Sequence, residues 1–528
     1  MSNQTLILHA TIASLCLILL SGTCESARIL GFFPSPSNSH LIIHTAIAEA
    51  LAERGHNVTV FQTMPSLKKN AKYTTVSIDV PTFDKKFLSE MINNAKPMYL
   101  RFGGLNEQMT KHANATLTHS KTQQFLNDHK ESFDLLILGY FFNDYYLGLA
   151  AYFNCPVIIS FMVQPIFSIN RILGNPSELA YVPTLFSGLK QPLGFMGRVK
   201  NFLISMFERI VFGFLLAHRM NEVYEDPGSN PPSDRNRSLS ITHNALTMHK
   251  NVSLVLSNHH FSHGPIRPNV PALIDIGGIQ IKEKPSPLPA DIAQILDNAK
   301  EGVIYFSLGS VVQGSHLSQD KTKIMFDVLS QLPYTVLWKW GDADLPGEAK
   351  NIIYKSWLPQ DDILAHPNVK LFLTHGGQGS VVESQYHGVP MVGIPLFGDQ
   401  PTNVQNMELS GFGIAVDYKK LSEQSFRTAI LEVLQNKKYS EAVMEFSTLY
   451  SDRPMTARQT AVYWVEYVLR HRGLMSLDVI GFLLTIVVIV IGALVIFCKY
   501  MVHFCSGRKI KAAKKVKSRS KGEMKKIA

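Results

Sequence analysis

Cysteine is scarce: 528 residues contain five. Cys16 and Cys24 lie in or beside an N-terminal apolar run, Cys498 and Cys505 beside a C-terminal one, and only Cys155 stands in the body of the chain. A disulfide framework is therefore excluded as what holds the body together. An excess of one charge is missing as well. The formal net charge is +10, but residues 499–528 alone hold eleven Lys or Arg and one Glu. The rest of the chain has 40 basic and 40 acidic residues. The body lacks a polyanion-binding surplus, so nucleic acid is not an expected partner. Neither a His/Cys cluster with metal-ligand spacing nor a redox motif is evident, and no metal site is expected.

Long apolar runs occur only at the two ends. Leu6 to Leu20 is mostly apolar and is followed by small residues, which reads as a signal peptide over 1–26, although no Lys or Arg precedes the run. Val479 to Cys498 contains no charge and is long enough to cross a hydrocarbon core of roughly 30 Å. The basic segment behind it is expected on the cytosolic side. The expectation is a type I single-pass protein with a lumenal body, a membrane segment over 474–498 and a cytosolic tail over 499–528. The terminal Lys525-Lys526-Ile527-Ala528 resembles a dilysine retrieval signal, which points to the endoplasmic reticulum membrane. Sequons at Asn57, Asn114, Asn236 and Asn251 fit lumenal exposure.

Between these ends the pattern is alternating α/β. Arg28 to Phe33 reads as a buried strand, His40 to Arg54 as a helix stopped at Gly55, and Val58 to Phe61 as the next strand. Leu135 to Leu138 and Val157 to Ser160 continue that sheet. Lys282 to Pro289 is rich in turn residues, and after it the alternation restarts: strands at Val303 to Leu308, Thr335 to Trp338, Lys370 to Thr374 and Met391 to Ile394, helices at Ser318 to Ser330 and Ser380 to Tyr386. Two doubly wound domains, 27–282 and 283–473, would leave a cleft for two substrates. Residues 190–220 are apolar but broken by Arg198, Lys200, Glu208 and Arg209. They read as acceptor-pocket wall, interfacial surface or ordinary core helices.

The chemistry-bearing segment runs from Trp357-Leu-Pro-Gln360 through His375-Gly-Gly377-Gln-Gly379-Ser380 to Glu383, and closes at Asp399-Gln400. A strand ending at Thr374 delivers His375 and the glycines to its carboxyl end. Gly376, Gly377 and Gly379 allow a diphosphate close to the backbone, and the next helix offers free N–H groups. Trp357 offers a flat face to a base. Ser380 with Glu383 also fits a capping box.

Together these pieces closely resemble the signature of the UDP-glycosyltransferase family, which includes the animal UDP-glucuronosyltransferases. The resemblance extends to Phe306-Ser-Leu-Gly-Ser310, to the run from Asp452-Arg-Pro-Met to Arg470-His-Arg-Gly473, and to both chain ends. It implies a GT-B fold: two Rossmann-like domains, with the acceptor in the first and a UDP-sugar in the second. By position, Trp357 would stack on uracil, Gln360 bond base or ribose, and Glu383 hold the ribose hydroxyls. His375 and Ser310 would contact the diphosphate, and Asp399 and Gln400 the sugar. The expected partners are UDP-glucose or UDP-glucuronate as co-substrate, a small lipophilic acceptor, the membrane, and a second chain in a homo- or hetero-oligomer; no cofactor is implied. His40, at the start of the first helix, would be the general base for an inverting transfer of detoxification type. Members usually carry Asp or Glu where this chain has Gly139. Asp144, five residues on, is the candidate substitute, or else a helix N-terminal residue. Gly379 also departs from the Asn usual in vertebrate members. Tyr140, Phe141, Phe142, Tyr145 and Tyr146 would line the acceptor site or fill core. The Gly139 departure carries a competing reading, a catalytically silent lumenal binder of UDP-sugar and lipophiles.

Overall fold

Short runs of Val, Ile, Leu and Phe, apolar on both faces, form strands that must be covered by helices on either side, and such strands pair in parallel. The computed structural model describes residues 26–66, 71–93, 102–129, 132–141, 143–185, 187–225, 251–262 and 264–471. The expected signal peptide as far as residue 25, Asn236, Phe142, the apolar run 479–498 and the basic tail lie outside the described residues.

The first sheet has seven strands: β1 (Arg28–Phe33), β2 (Asn57–Gln62), β3 (Thr74–Ser77), β4 (Leu135–Tyr140), β5 (Val157–Phe161), β6 (Val252–Ser257) and β7 (Leu273–Asp275). They pair in the order β3-β2-β1-β4-β5-β6-β7, all parallel. The second sheet has six: β8 (Val303–Ser307), β9 (Thr335–Lys339), β10 (Ile352–Lys355), β11 (Val369–Thr374), β12 (Met391–Gly393) and β13 (Gly413–Ala415), ordered β10-β9-β8-β11-β12-β13 and again parallel. This is the expected α/β architecture of two Rossmann-like sheets, and both belong to one compact unit that ends at Gly473. Cys155 is a buried free cysteine whose thiol burial pushes up to about 12, so it is inert.

Helix α1 (Asn38–Glu53) follows β1 and buries Leu41, Ile43, Ala46, Ile47 and Leu51 against the sheet. Helix α2 (Phe195–Glu225) covers most of residues 190–220 and buries Asn201, Ile204, Ser205 and Glu208 on one face. Phe195, Val199, Phe202, Leu203, Met206 and Ile210 recur at three- and four-residue spacing and are exposed, Phe195 at 78% and Ile210 at 64%. That stripe is neither core nor a wall of the cleft described below. Among the described residues no helix is long and apolar enough to cross a membrane.

In the second half, α3 (Gln378–Tyr386) follows β11 and α4 (Gln400–Leu409) follows β12. The turn-rich segment expected as a boundary is pinned to this half. Lys282 Nζ donates to Asp362 at 2.6 Å, and the Ser286 amide donates to the same carboxylate. The last described helix, α5 (Ala457–His471), returns to pack on α1. Arg54 bonds Glu466 at 2.9 Å and Arg458 bonds Glu49 at 3.0 Å across that contact.

Candidate active site

Each sheet reverses its winding direction once, between β1 and β4 and between β8 and β11. At such points the loops leaving the two strands diverge and open a crevice at their carboxyl ends. A single cavity of about 440 Å³ is lined from both sheets at these crevices. It gathers His40, Ser310, Trp357, Gln360, His375, Gly377, Gly379, Ser380, Glu383, Asp399 and Gln400.

The second-sheet wall is densely hydrogen bonded. Glu383, on α3, accepts from Gln360 Nε2 at 2.8 Å and from Gln280 Nε2 at 3.3 Å. Burial pushes its carboxyl up to about 8, aided by the nearby Asp361 charge. Gln360 also donates to Ser380 Oγ at 3.0 Å and accepts from Tyr305 at 3.2 Å, so its amide orientation is fixed. His375 lies so close to Gly377 that a Cβ there would stand 2.5 Å from Nε2, which explains glycine at that position. Burial, with Lys339 nearby, lowers the His375 pKa to about 4, so the ring is neutral near pH 7. Its Nδ1 and the Ser310 Oγ are buried with no hydrogen-bond partner. Asp399 accepts from Asn403 at 2.6 Å. Gln400 Oε1 accepts the amides of Leu396 and Phe397, leaving its NH₂ end for the cleft.

Three sequence-based expectations need correction or extension. Gly376 is not among the cleft-lining residues. Its φ of 79° turns the chain after His375, and a Cβ would meet Val404 at 2.2 Å, so it is a turn residue behind the site. Asp144 is fully buried at the start of a short 3-10 turn and accepts from Tyr140 Oη at 3.0 Å. It does not line the cleft, and burial is the cause of the His40 shift, with no contribution from Asp144. The structure therefore does not place Asp144 as the substitute for the missing acid at position 139. Of the aromatic run, Phe141 lines the cleft, while Tyr140, Tyr145 and Tyr146 are core.

Two further cleft residues escaped the sequence. Lys339 ends β9, donates to Gly309 O at 2.8 Å and sits 4.7 Å over the Trp357 ring. One face of Trp357 is thus taken, and the ring remains 48% exposed. Lys339 could have been suspected from its place at a strand's carboxyl end near the switch point. Gln280 carried no local signal.

On the first-sheet wall, His40 sits in the first turn of α1 with its ring 5.0 Å from Phe141. Burial lowers its pKa to about 4. Its Nδ1 is inaccessible and has no partner, so Nε2 is the nitrogen available to a substrate. On this wall the cleft is lined by the apolar Phe83, Phe87, Leu88, Met91, Leu105 and Met162, with Ser39, Thr45, Glu49 and Gln62 among them. The arrangement sets a basic nitrogen in one cleft whose first-sheet wall is the more apolar and whose second-sheet wall is the more polar.

Comparison with known proteins agrees with this geometry. The family model described as "UDP-glucoronosyl and UDP-glucosyl transferase" matches residues 32–512. UDP-glycosyltransferase UGT5 of Dactylopius coccus is 33% identical over 490 residues, covering 88% of this chain and 90% of that protein. Human UDP-glucuronosyltransferase 1A6 is 31% identical over 521 residues, covering 91% and 93%. Among solved structures, a Polygonum tinctorium UDP-glucosyltransferase capable of glucosylating indoxyl superposes with a TM-score of 0.54 at 17% identity, over 85% of this chain and 99% of that one. A match across most of the chain, on a GT-B fold with its two crevices facing one cavity, makes this protein a member of the UDP-glycosyltransferase family.

Proposed function

We propose that this UDP-glycosyltransferase moves glucose from UDP-glucose to the hydroxyl of a small lipophilic acceptor, with His40 as general base. The acceptor oxygen attacks the anomeric carbon. The bond from that carbon to the β-phosphate oxygen breaks with its electron pair leaving on UDP. The acceptor proton passes to His40 Nε2, and configuration inverts. His40 suits the task because burial keeps it uncharged, and base assistance of this kind contributes about 10²–10⁴ in rate. The carrying observation is that one cavity holds His40, six apolar side chains and the ten signature residues from Ser310 to Gln400 together.

The name of one relative supports glucose as the sugar. A further Dactylopius coccus protein, 31% identical, is named UDP-glucosyltransferase 2, against the glucuronosyl name of the human relative. Trp357, Gln360 and Glu383 would hold uridine, His375 and Ser310 the diphosphate, and Asp399 and Gln400 the sugar. Radiolabelled UDP-glucose and UDP-glucuronate with a phenol panel test the assignment. Glucosyl transfer abolished by His40→Ala is the expected result. UDP binding with no transfer to any acceptor would instead favour the silent-binder reading that Gly139 raises.

For location we propose the endoplasmic reticulum membrane, body lumenal. Support comes from the uncharged run 479–498, the basic tail and the exposed apolar stripe of α2, which suits an interfacial surface. Protease protection of the body, but not the tail, in sealed microsomes is the expected outcome.

A further inference from the structure

Position 139 lacks the carboxylate that would ordinarily face the catalytic base, yet the space is not empty. A Cβ built on Gly139 would stand 2.9 Å from Cδ2 and 3.0 Å from Nε2 of His44. His44 is one turn along α1 from His40, on the same face, and is 1% exposed. Its ring stacks on Phe33 with centroids 5.2 Å apart, and its Nδ1 is 2.7 Å from Ser160 Oγ. Ser160 is the cross-strand neighbour of Gly139. The ring is therefore clamped over the Gly139–Ser160 pair, with its Nε2 edge where a side chain from position 139 would begin.

Two further facts bear on it. His40 Nδ1, the atom a carboxylate partner would hold, is buried without one. Burial lowers the His44 pKa first, and His40 is the charged group that adds to it; the other groups packed there are the Phe33 ring, the Ser160 hydroxyl and Gly139.

We propose that His44, anchored by Ser160, is the positioning residue for His40 in place of an acidic side chain. The proposal rests on His40 being the base. With Ser160 Oγ accepting from His44 Nδ1–H, His44 Nε2 is left as a lone-pair acceptor. That selects the His40 tautomer with its proton on Nδ1, and so presents His40 Nε2 to the acceptor hydroxyl. No hydrogen bond joins the two rings in this structure; such contacts commonly tighten only when substrate is bound. When His40 Nε2 takes the acceptor proton, Nδ1–H of the imidazolium donates to His44 Nε2, and no proton leaves the pair. This is the orientation logic of a base held by a third group, carried out by a neutral ring. Gly139 belongs to the same device, because any larger residue would displace the His44 ring.

Three variants of the full-length chain in microsomes test this, assayed with UDP-glucose and 1-naphthol. His44→Phe keeps the ring stack but removes both nitrogens. It should lower kcat roughly tenfold or more while KM for UDP-glucose stays within about twofold. His44→Ala/Gly139→Asp supplies a carboxylate in the vacated space. It should recover most of kcat relative to His44→Ala and move the acid limb of kcat/KM to higher pH, since a carboxylate raises the His40 pKa. Wild-type kcat in His44→Phe overturns the proposal. If that variant unfolds, the double variant decides alone, and a kcat no better than His44→Ala, with UDP still bound, overturns it. Transfer that survives His40→Ala would instead sink the base assignment, whatever the His44 variants do.

Discussion

Glu383 is buried and His40 is partly buried, and desolvation shifts the two in opposite directions. For Glu383, desolvation outweighs two amide donors and holds the carboxyl up at about 8. A carboxyl raised in the folded state contributes stability that is full below its ordinary value of 4.5 and is lost as pH climbs through about 8. Glu383→Gln should therefore gain in melting temperature on the wild type as pH rises through that window. It should also weaken UDP binding by roughly tenfold above pH 8, where the carboxylate offers two accepting oxygens to the ribose and the amide only one. Calorimetric melting and equilibrium binding at several pH values check both. His40 is shifted down to about 4, so the base stays unprotonated well below the ordinary histidine value of 6.5. We expect kcat/KM to stay level as pH falls from 8 to about 5, with its acid limb lower still. A limb near 6.5 would contradict a desolvated base. The identity of His40 and Glu383 could be read from motif position; their protonation could not, because burial depends on what folds over them.

Helix α5 shows how one element ties the cleft together. It follows the second sheet in sequence yet packs on α1, the helix that carries His40 and His44. Arg458 bonds Glu49 at 3.0 Å and approaches Glu53 at 3.5 Å, with both Arg458 and Glu49 largely shielded. Arg458→Met keeps volume but strands Glu49, and should cost about 1–3 kcal/mol, seen as a lowered melting temperature. A shift within error would mean the pair is solvated in practice. Most elements were legible: β1 matches its expected bounds, and α1 and β11 differ by one or two residues. The expectation missed β3, β7, β10 and β13, which have three or four residues each, too few for any periodicity to register. The six-residue β6 follows the 226–250 stretch and was missed for want of a flanking pattern.

Across the whole molecule, the cavity joins a polar wall on the second sheet to a more apolar one on the first, and a weak base lines it. A base whose pKa is about 4 assists best when the proton it takes is already acidic. Phenols should therefore be glucosylated faster than alkanols of similar size and hydrophobicity, by roughly tenfold or more in kcat/KM. Equal rates for paired phenol and cyclohexanol acceptors would contradict this.

What the sequence determined by itself was everything carried by local order: two sheet-forming stretches, the carboxyl-end loops, the signature from Trp357 to Gln400, and the histidine opening α1. Strand, turn and helix N-terminus are set by neighbours in the chain, so they could be read there. Only the tertiary structure decided that Gly376 stands behind the site, that Asp144 serves Tyr140, that Lys339 covers Trp357, and that His44 fills the space left by Gly139. Each of these is a contact between segments tens to hundreds of residues apart or a choice among rotamers within a packed core. Such contacts are fixed by which surfaces exclude water together, and no run of letters records that.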